Sequence, residues 1–368
     1  MKILQARSGF EDNGPGTQAL TISRELRDRG YEVIFAAGGG DYLGTIRDAG
    51  FDVALIPAMR REKRDPATVA RAAWALRRLI RERGIAVVHA HNAAAALTAW
   101  AGSRLGGSGV RLVHSVRGIE LRASHRWRNW IYRRYPAELL AVSQYTRDKL
   151  LEVGADSARI RVSYNGVDTR RFDPDSVSGA DVRRKYGLGD GVVAGHVGSM
   201  KTRAKGQHVL IRALGRLRER VPDLRILLVG DGVERPRLEE LARAEGVADR
   251  VVFVGRRFDA ERFHAVFDVY AQPSVWGEMF PNSILEAMAM ATPWVGSRLG
   301  GLAELTANGR AGTLVEPGDV DALADALQRL ALDPRERAER GSAGRAEVRE
   351  RFSVGAVVDG IVAAYTDE

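Results

Sequence analysis

The 368-residue sequence contains no cysteine, and that absence removes disulfides, thiolate nucleophiles and Cys-based metal sites together. A reducing, cytoplasmic setting is the expectation. No apolar run comes near the roughly 20 residues that a membrane-spanning helix requires. Met1-Lys-Ile-Leu enters a strand pattern with no basic stretch leading an apolar core, so no signal peptide is expected. Internal repeats and low-complexity tracts are lacking, which argues against solenoids. Acidic charge is scarce in one half only. Residues 1–175 carry 29 Lys and Arg against 19 Asp and Glu, whereas residues 176–368 carry 27 against 28. The excess gathers in residues 60–83, nine basic against three acidic, and in residues 117–134, six against one. The net charge of +9 therefore belongs to the first half and suits an anionic partner. No nucleic-acid-binding module accompanies it, so no nucleic acid is expected.

What is present is alternation. At 368 residues the chain is about twice the usual domain length. Short apolar runs (Lys2-Ile-Leu-Gln, Val33-Ile-Phe-Ala, Val53-Ala-Leu-Ile, Val87-Val-His-Ala, Leu112-Val-His-Ser-Val, Leu139-Leu-Ala-Val) alternate with amphipathic helical stretches. Such alternation builds a parallel sheet with helices on both faces. A turn-rich zone from Tyr164-Asn-Gly-Val-Asp168 through Asp173-Pro-Asp175 to Gly179 interrupts the rhythm. It restarts at Val192 with a second series of strands, and helices close the chain from Asp319. The expected fold class is α/β, with two doubly wound, Rossmann-like domains facing across a cleft. Residues 1–172 form the first and 173–352 the second, and a last helix over 353–368 packs back on the first. Ligands of such sheets bind beyond the carboxyl ends of the strands.

The stretch with most chemistry is Pro273-Ser-Val-Trp-Gly-Glu278-Met-Phe-Pro-Asn-Ser-Ile-Leu-Glu286-Ala-Met-Ala. A strand ends in Gln272, a turn follows, and Asn282 is the expected N-cap of a helix burying Ile284, Leu285 and Met288. Glu278 precedes that helix and Glu286 lies about one turn inside it. Free N–H groups at a helix start favour phosphate, and carboxylates accept hydrogen bonds from sugar hydroxyls. A nucleotide-sugar site and an acidic helix start without ligand are both compatible with the pair alone. A second loop, Gly198-Ser199-Met-Lys-Thr-Arg203-Ala-Lys205-Gly206, also follows a strand and opens a helix. Its cations suit a diphosphate.

In the first half, His89 and His91 stand two apart at a strand end and so on one face. A metal pair there lacks a third ligand, and no metal site is expected. Gly14-Pro-Gly16-Thr-Gln-Ala19 matches a dinucleotide fingerprint in letters only, because the second strand does not end on an acidic residue. A flexible glycine loop near donor phosphate is the reading adopted, which brings in Gly16. Asp173-Pro-Asp175 resembles a metal-binding Asp-x-Asp, and a linker turn explains it. Trp127 and Trp130, set among arginines at helical spacing, suit either an anionic membrane surface or a packed helix with a basic outer face.

Taken in order, Asn165-Gly-Val-Asp168 with Phe172, Gly198 to Gly206, Val229-Gly-Asp-Gly232, Phe253-Val-Gly255, Pro273-Ser274, Glu278-x7-Glu286-Ala-Met-Ala, Gly300-Gly-Leu-Ala-Glu304 and Val315-Glu-Pro-Gly-Asp319 resemble glycosyltransferase family 4. These are retaining enzymes of the GT-B architecture, and the resemblance covers nearly the whole chain. It implies that Glu286 holds the nucleotide ribose and Glu278 the donor sugar. Phe280, Asn282 and Ser283 would present backbone donors, and Pro281 stands where the family has glycine and offers no N–H. Arg203 and Lys205 would clamp the diphosphate beside Ser199, and the base would lie near Gly255 and Arg256. On the acceptor side the resemblance points to His91, Arg117 and Asn165. Here Ser115-Val-Arg117-Gly118 replaces a family pattern of the form Thr-x-His-Gly.

The resulting expectation is a retaining, metal-independent glycosyltransferase without a cofactor, using a nucleoside diphosphate sugar, UDP or GDP, as co-substrate. Glu278, Arg203, Lys205 and His91 are its expected catalytic residues. The acceptor would be an anionic or lipid-linked saccharide, as in lipopolysaccharide or other cell-envelope glycan synthesis, with the protein peripheral on the inner face of the membrane. A sugar-nucleotide 2-epimerase of the same fold and a non-catalytic sugar-binding protein are the alternatives.

Overall fold

The computed structural model describes residues 1–11, 13–60, 65–104, 109–117, 131–135 and 137–366. Trp127 and Trp130 lie outside the described residues. The chain divides into two compact units, Met1–Gly166 with Val354–Glu368, and Val167–Ser353.

The first unit carries a seven-stranded sheet of β1 (Lys2–Arg7), β2 (Glu32–Ala37), β3 (Asp52–Leu55), β4 (Val87–Ala90), β5 (Arg111–Val116), β6 (Glu138–Ala141) and β7 (Ile160–Val162). Every pairing is parallel, in the order β3-β2-β1-β4-β5-β6-β7. Strands such as Val33-Ile-Phe-Ala are buried on both faces and read as continuous apolar runs for that reason. The helices follow local rules. Helix Pro66–Arg83 begins where the Asp65 side chain accepts from Thr68 N at 2.9 Å, has proline in its first turn, and stops at Gly84 with φ of 62°. It buries Ala72, Ala73, Leu76 and Ile80, and Trp74 stands exposed among its arginines.

Helix Val354–Thr366 buries Val354, Val357, Val358, Ile361 and Tyr365 in one cluster with Leu20, Ile22 and Leu26 of helix Gly14–Asp28. Arg29 ties the same elements, with Nη1 on Asp359 Oδ1 at 2.6 Å and Nη2 on the Gly355 carbonyl at 2.8 Å. Gly166 ends the unit's first segment. The buried Gln18 side chain donates to its carbonyl at 2.6 Å and accepts from its N–H at 2.9 Å. A Cβ at Gly166 would stand 2.9 Å from Val354 Cα, so glycine lets the segment and the returning helix touch.

The second unit holds a six-stranded parallel sheet, β10-β9-β8-β11-β12-β13 in spatial order. Its strands are β8 (Val193–Val197), β9 (Arg225–Val229), β10 (Val251–Gly255), β11 (Val269–Gln272), β12 (Trp294–Ser297) and β13 (Gly312–Val315). Leu210, Leu214, Ile226, Leu228, Val295 and Leu327 are among the side chains of its core. In both sheets the winding reverses once, between β1 and β4 and between β8 and β11. The loops leaving those strands' carboxyl ends splay apart and leave room for a ligand. Among the described residues no helix is long and apolar enough to cross a membrane.

Candidate functional site

The loops that leave β8 and β11 are the two stretches singled out by chemistry, residues 198–206 and 273–281. They are joined backbone to backbone. Val275 N donates to the Ala204 carbonyl at 2.8 Å, and Gly206, with φ of 73°, passes so close to Pro273 that a Cβ would stand 1.7 Å from its carbonyl oxygen. Only glycine meets both demands. A third loop joins them, since Gly301 N donates to the Met279 carbonyl at 2.7 Å.

Glu278 sits at this junction, buried to 7% exposure, and one of its oxygens gathers three donors. Lys205 Nζ lies 2.8 Å from Oε2, Gln272 Nε2 2.9 Å and Ser274 Oγ 2.9 Å. None of these three reaches Oε1. Tyr270 OH donates to Gln272 Oε1 at 2.8 Å, and Ser283 Oγ reaches the same oxygen at 3.3 Å. With its carbonyl oxygen so engaged, Gln272 turns its amide donors toward Glu278. Burial holds the Tyr270 hydroxyl well above the usual phenol range, so it stays a donor. Nearby, burial lowers the His196 imidazole to about 4, and its Nδ1 lies 2.8 Å from the Ala271 carbonyl.

Helix Asn282–Ala289 starts one residue earlier than expected. Pro281, extended at φ −73° and ψ 127°, occupies the N-cap position and offers no side-chain acceptor. Asn282 is instead the first helical residue. Phe280 puts its ring into the interior, edge-on to Phe352 at 5.6 Å, so only its backbone is left for a ligand. Glu286 is inside the helix with its side chain 21% exposed. Within the 198–206 loop Arg203 is exposed, whereas Lys205 is half-buried. Ser199 is exposed and folded onto its own loop, accepting from Lys201 N at 3.2 Å. Gly255 closes β10 with φ of 82° and accepts from Gly230 N at 2.9 Å. Arg256 is exposed and lies over the Phe258 ring at 5.2 Å.

In the first unit, Gly14 to Gly16 is no loop. It is the first turn of helix Gly14–Asp28, with Asn13 as its cap, and a Cβ at Gly16 would strike the Glu11 carbonyl oxygen at 2.1 Å. The glycine is required by packing there. His91 follows β4 at the reversal point and is bound through Nε2 to Gln5 Oε1 at 2.6 Å. Its ring stacks on His89 at 4.4 Å. Both His89 nitrogens are used, by Tyr365 OH and Ser115 Oγ at 2.7 Å each, which removes it as a metal ligand. Burial lowers His89 to about 3 and His91 well below its ordinary value. Arg117 follows β5, bonds Asn165 Oδ1, and has its Nε out of solvent and, among the described residues, without a hydrogen-bond partner. Burial and the neighbouring Arg7 bring its guanidinium down to about 9. Among the described residues no group of three His, Asp or Glu is placed to hold a metal ion. Asp173 and Asp175 both bind Arg345 Nη2, at 2.5 and 2.8 Å.

Sequence reasoning missed Tyr270, Gln272 and Ser274. Their signal was a two-residue polar period running out of an otherwise apolar strand.

The geometry agrees with what the chain is similar to. Residues 12–171 match the profile of "Glycosyltransferase Family 4" and residues 191–333 that of "Glycosyl transferases group 1". The chain is 41% identical over 213 residues to the GDP-mannose-dependent alpha-(1-6)-phosphatidylinositol monomannoside mannosyltransferase of Mycolicibacterium smegmatis, a match covering 55% of each. It thus spans about half the length of that relative. It is 30% identical over 320 residues to the alpha-D-kanosaminyltransferase of Streptomyces kanamyceticus, covering 80% of this chain and 81% of the relative. Among solved structures, Anabaena Alr3699/HepE in complex with UDP superposes with a TM-score of 0.86 at 23% identity, over the whole of both chains. Two parallel-sheet α/β units wound in this way have the GT-B fold, and the chain belongs to glycosyltransferase family 4.

Proposed function

We propose that the protein transfers a sugar from a nucleoside diphosphate sugar to a hydroxyl of an anionic or lipid-linked saccharide acceptor. The observation that carries this is the junction of Glu278 with Lys205, built from the loops of β8 and β11 and lying just ahead of the N-terminus of helix Asn282–Ala289. The helix start offers N–H donors to phosphate, Lys205 and Arg203 bring positive charge, and Glu278 offers a fixed acceptor to sugar hydroxyls. Glu286, one turn along, takes the ribose.

In this reading the reaction retains configuration. The acceptor hydroxyl attacks the anomeric carbon on the face from which diphosphate departs, and a departing phosphate oxygen takes its proton. Lys205 and Arg203 stabilise the charge that builds on the diphosphate, so no metal is needed. The donor base is uracil or guanine, and the mycobacterial relative, GDP-mannose-dependent by name, favours the guanine series.

The acceptor belongs with the basic first unit. Among the described residues Arg117 Nε is buried without a partner and suits an acceptor carrying phosphate or carboxylate, while His91 Nδ1, the bare nitrogen of a neutral ring whose Nε2–H faces Gln5, suits an acceptor hydroxyl. The relative's phosphatidylinositol mannoside is one such acceptor. A phospholipid-borne acceptor would place the protein at the cytoplasmic face of the membrane, with the Arg-rich helix Pro66–Arg83 and its exposed Trp74 toward anionic lipid. The test is release of nucleoside diphosphate from UDP- and GDP-sugars with and without a phosphoinositol glycolipid. Acceptor-dependent release, with the new linkage of the donor's anomeric configuration, is expected. Donor turnover that ignores acceptor would overturn the reading.

A further inference from the structure

Glu286 does not stand alone at the site. His264, the last residue of the short helix Ala260–His264, is wholly out of solvent, and its Nε2 lies 3.3 Å from Glu286 Oε2. Three aromatic neighbours hold the ring. It stacks on Tyr270 at 5.6 Å and meets Phe267 and Phe172 edge-on at 5.1 and 5.7 Å. Among the described residues neither ring nitrogen makes an aligned hydrogen bond. An imidazole so enclosed forfeits hydration at both nitrogens, a cost that packing alone would avoid with phenylalanine. The atom within reach of Nε2 is a carboxylate oxygen, at bonding distance and off the bonding direction.

We infer that His264 is a positioning residue for the nucleotide site: when nucleotide is seated, its Nε2–H aligns on Glu286 Oε2 and fixes the carboxylate for the ribose hydroxyls. A carboxylate has about four lone-pair positions, so one taken by His264 leaves the others for the 2′- and 3′-hydroxyls. Without the imidazole, the Glu286 side chain has further rotamers to lose on binding. Bonds that are misaligned in the empty site and tighten on binding are common at such positions. The inference rests on the assignment of Glu286 to the ribose.

The test uses the full chain and compares UDP and GDP with their 2′,3′-dideoxy forms by calorimetry, in the wild type, His264→Phe and His264→Gln. Wild type should prefer the ribose form by at least about tenfold, as expected for a hydrogen bond to a charged group. His264→Phe should lose most of that preference, and His264→Gln, which keeps an N–H donor, should restore much of it. An unchanged preference in His264→Phe overturns the inference while leaving Glu286 at the ribose. No preference in the wild type overturns the Glu286 assignment itself. Should His264→Phe fail to fold, the wild type still decides: the His264 Nε2–H proton resonance should move downfield when nucleotide is added and not when the dideoxy form is, and a resonance indifferent to both overturns the inference.

Discussion

Lys205 Nζ and Glu278 Oε2 are 2.8 Å apart across 73 residues of sequence. One comes from the loop after β8, the other from the loop after β11, and the reversal of winding between those strands brings them together. In the proposed function, this cation and carboxylate would give opposite ends of a donor their partners, the diphosphate on one side and the sugar hydroxyls on the other.

Glu278→Gln should lower sugar transfer about 100-fold or more, the usual cost of removing a preorganised polar group from a transition state. Nucleoside diphosphate affinity should stay within about threefold, because the ribose and phosphate contacts proposed above are elsewhere. Lys205→Met should lower turnover comparably and also weaken diphosphate binding. Steady-state kinetics with calorimetry separates the two. An equal loss of nucleotide affinity in both variants would contradict the division of labour.

Gln18→Ala removes both side-chain bonds to the backbone of Gly166. Leaving buried backbone groups unpaired should lower stability by about 2 kcal/mol. Urea unfolding followed by circular dichroism reads this as a lower midpoint with an unchanged slope.

Acid should destabilise the protein earlier than carboxylate titration alone would. His89 is held at about 3 and His114 and His196 at about 4, in each case chiefly by burial. In the unfolded chain these groups titrate near 6.5, so between about pH 6.5 and 4 the unfolded state binds more protons. Their neutral forms carry full stability above pH 6.5, and it is lost as pH falls toward 4. Each contributes a slope of up to about 1.4 kcal/mol per pH unit. Urea midpoints measured from pH 7.5 to 4.5 should fall throughout the lower part of that window. A flat profile above pH 5 would contradict it.

Chelator should leave transfer unchanged. Asp173 and Asp175 are both committed to Arg345, and in the proposed function Lys205 and Arg203 would neutralise the diphosphate. An activity loss beyond about threefold with EDTA, restored by Mg²⁺ or Mn²⁺, would place a metal in the mechanism.

Much of this was legible from residues alone. The alternation of apolar runs and amphipathic stretches is a local signal, and the parallel order of both sheets follows from it with the right-handed crossover rule. The Glu278 and Glu286 spacing and the loop at Gly198 to Gly206 point to the candidate site because a helix start, cations and carboxylates have chemistry that can be read in one dimension. What could not be read is what long-range packing decides. Gly16 looks like a loop residue in sequence, and the Glu11 carbonyl above it makes it the first turn of a helix. Asn282 reads as a cap until the extended Pro281 takes that position. The contact of His264 with Glu286 depends on two short helices meeting, and no spacing rule in the sequence relates them.

The measurement that bears most directly on the account is thermal stability against UDP-, GDP-, ADP- and TDP-sugars, for the wild type and Glu286→Ala. At about 100 times Kd a ligand should add about 2.7 kcal/mol, a shift of several degrees. A shift with one nucleotide series, UDP or GDP, that disappears in Glu286→Ala is expected. Silence across the series in the wild type, or a shift that survives in Glu286→Ala undiminished, would contradict it.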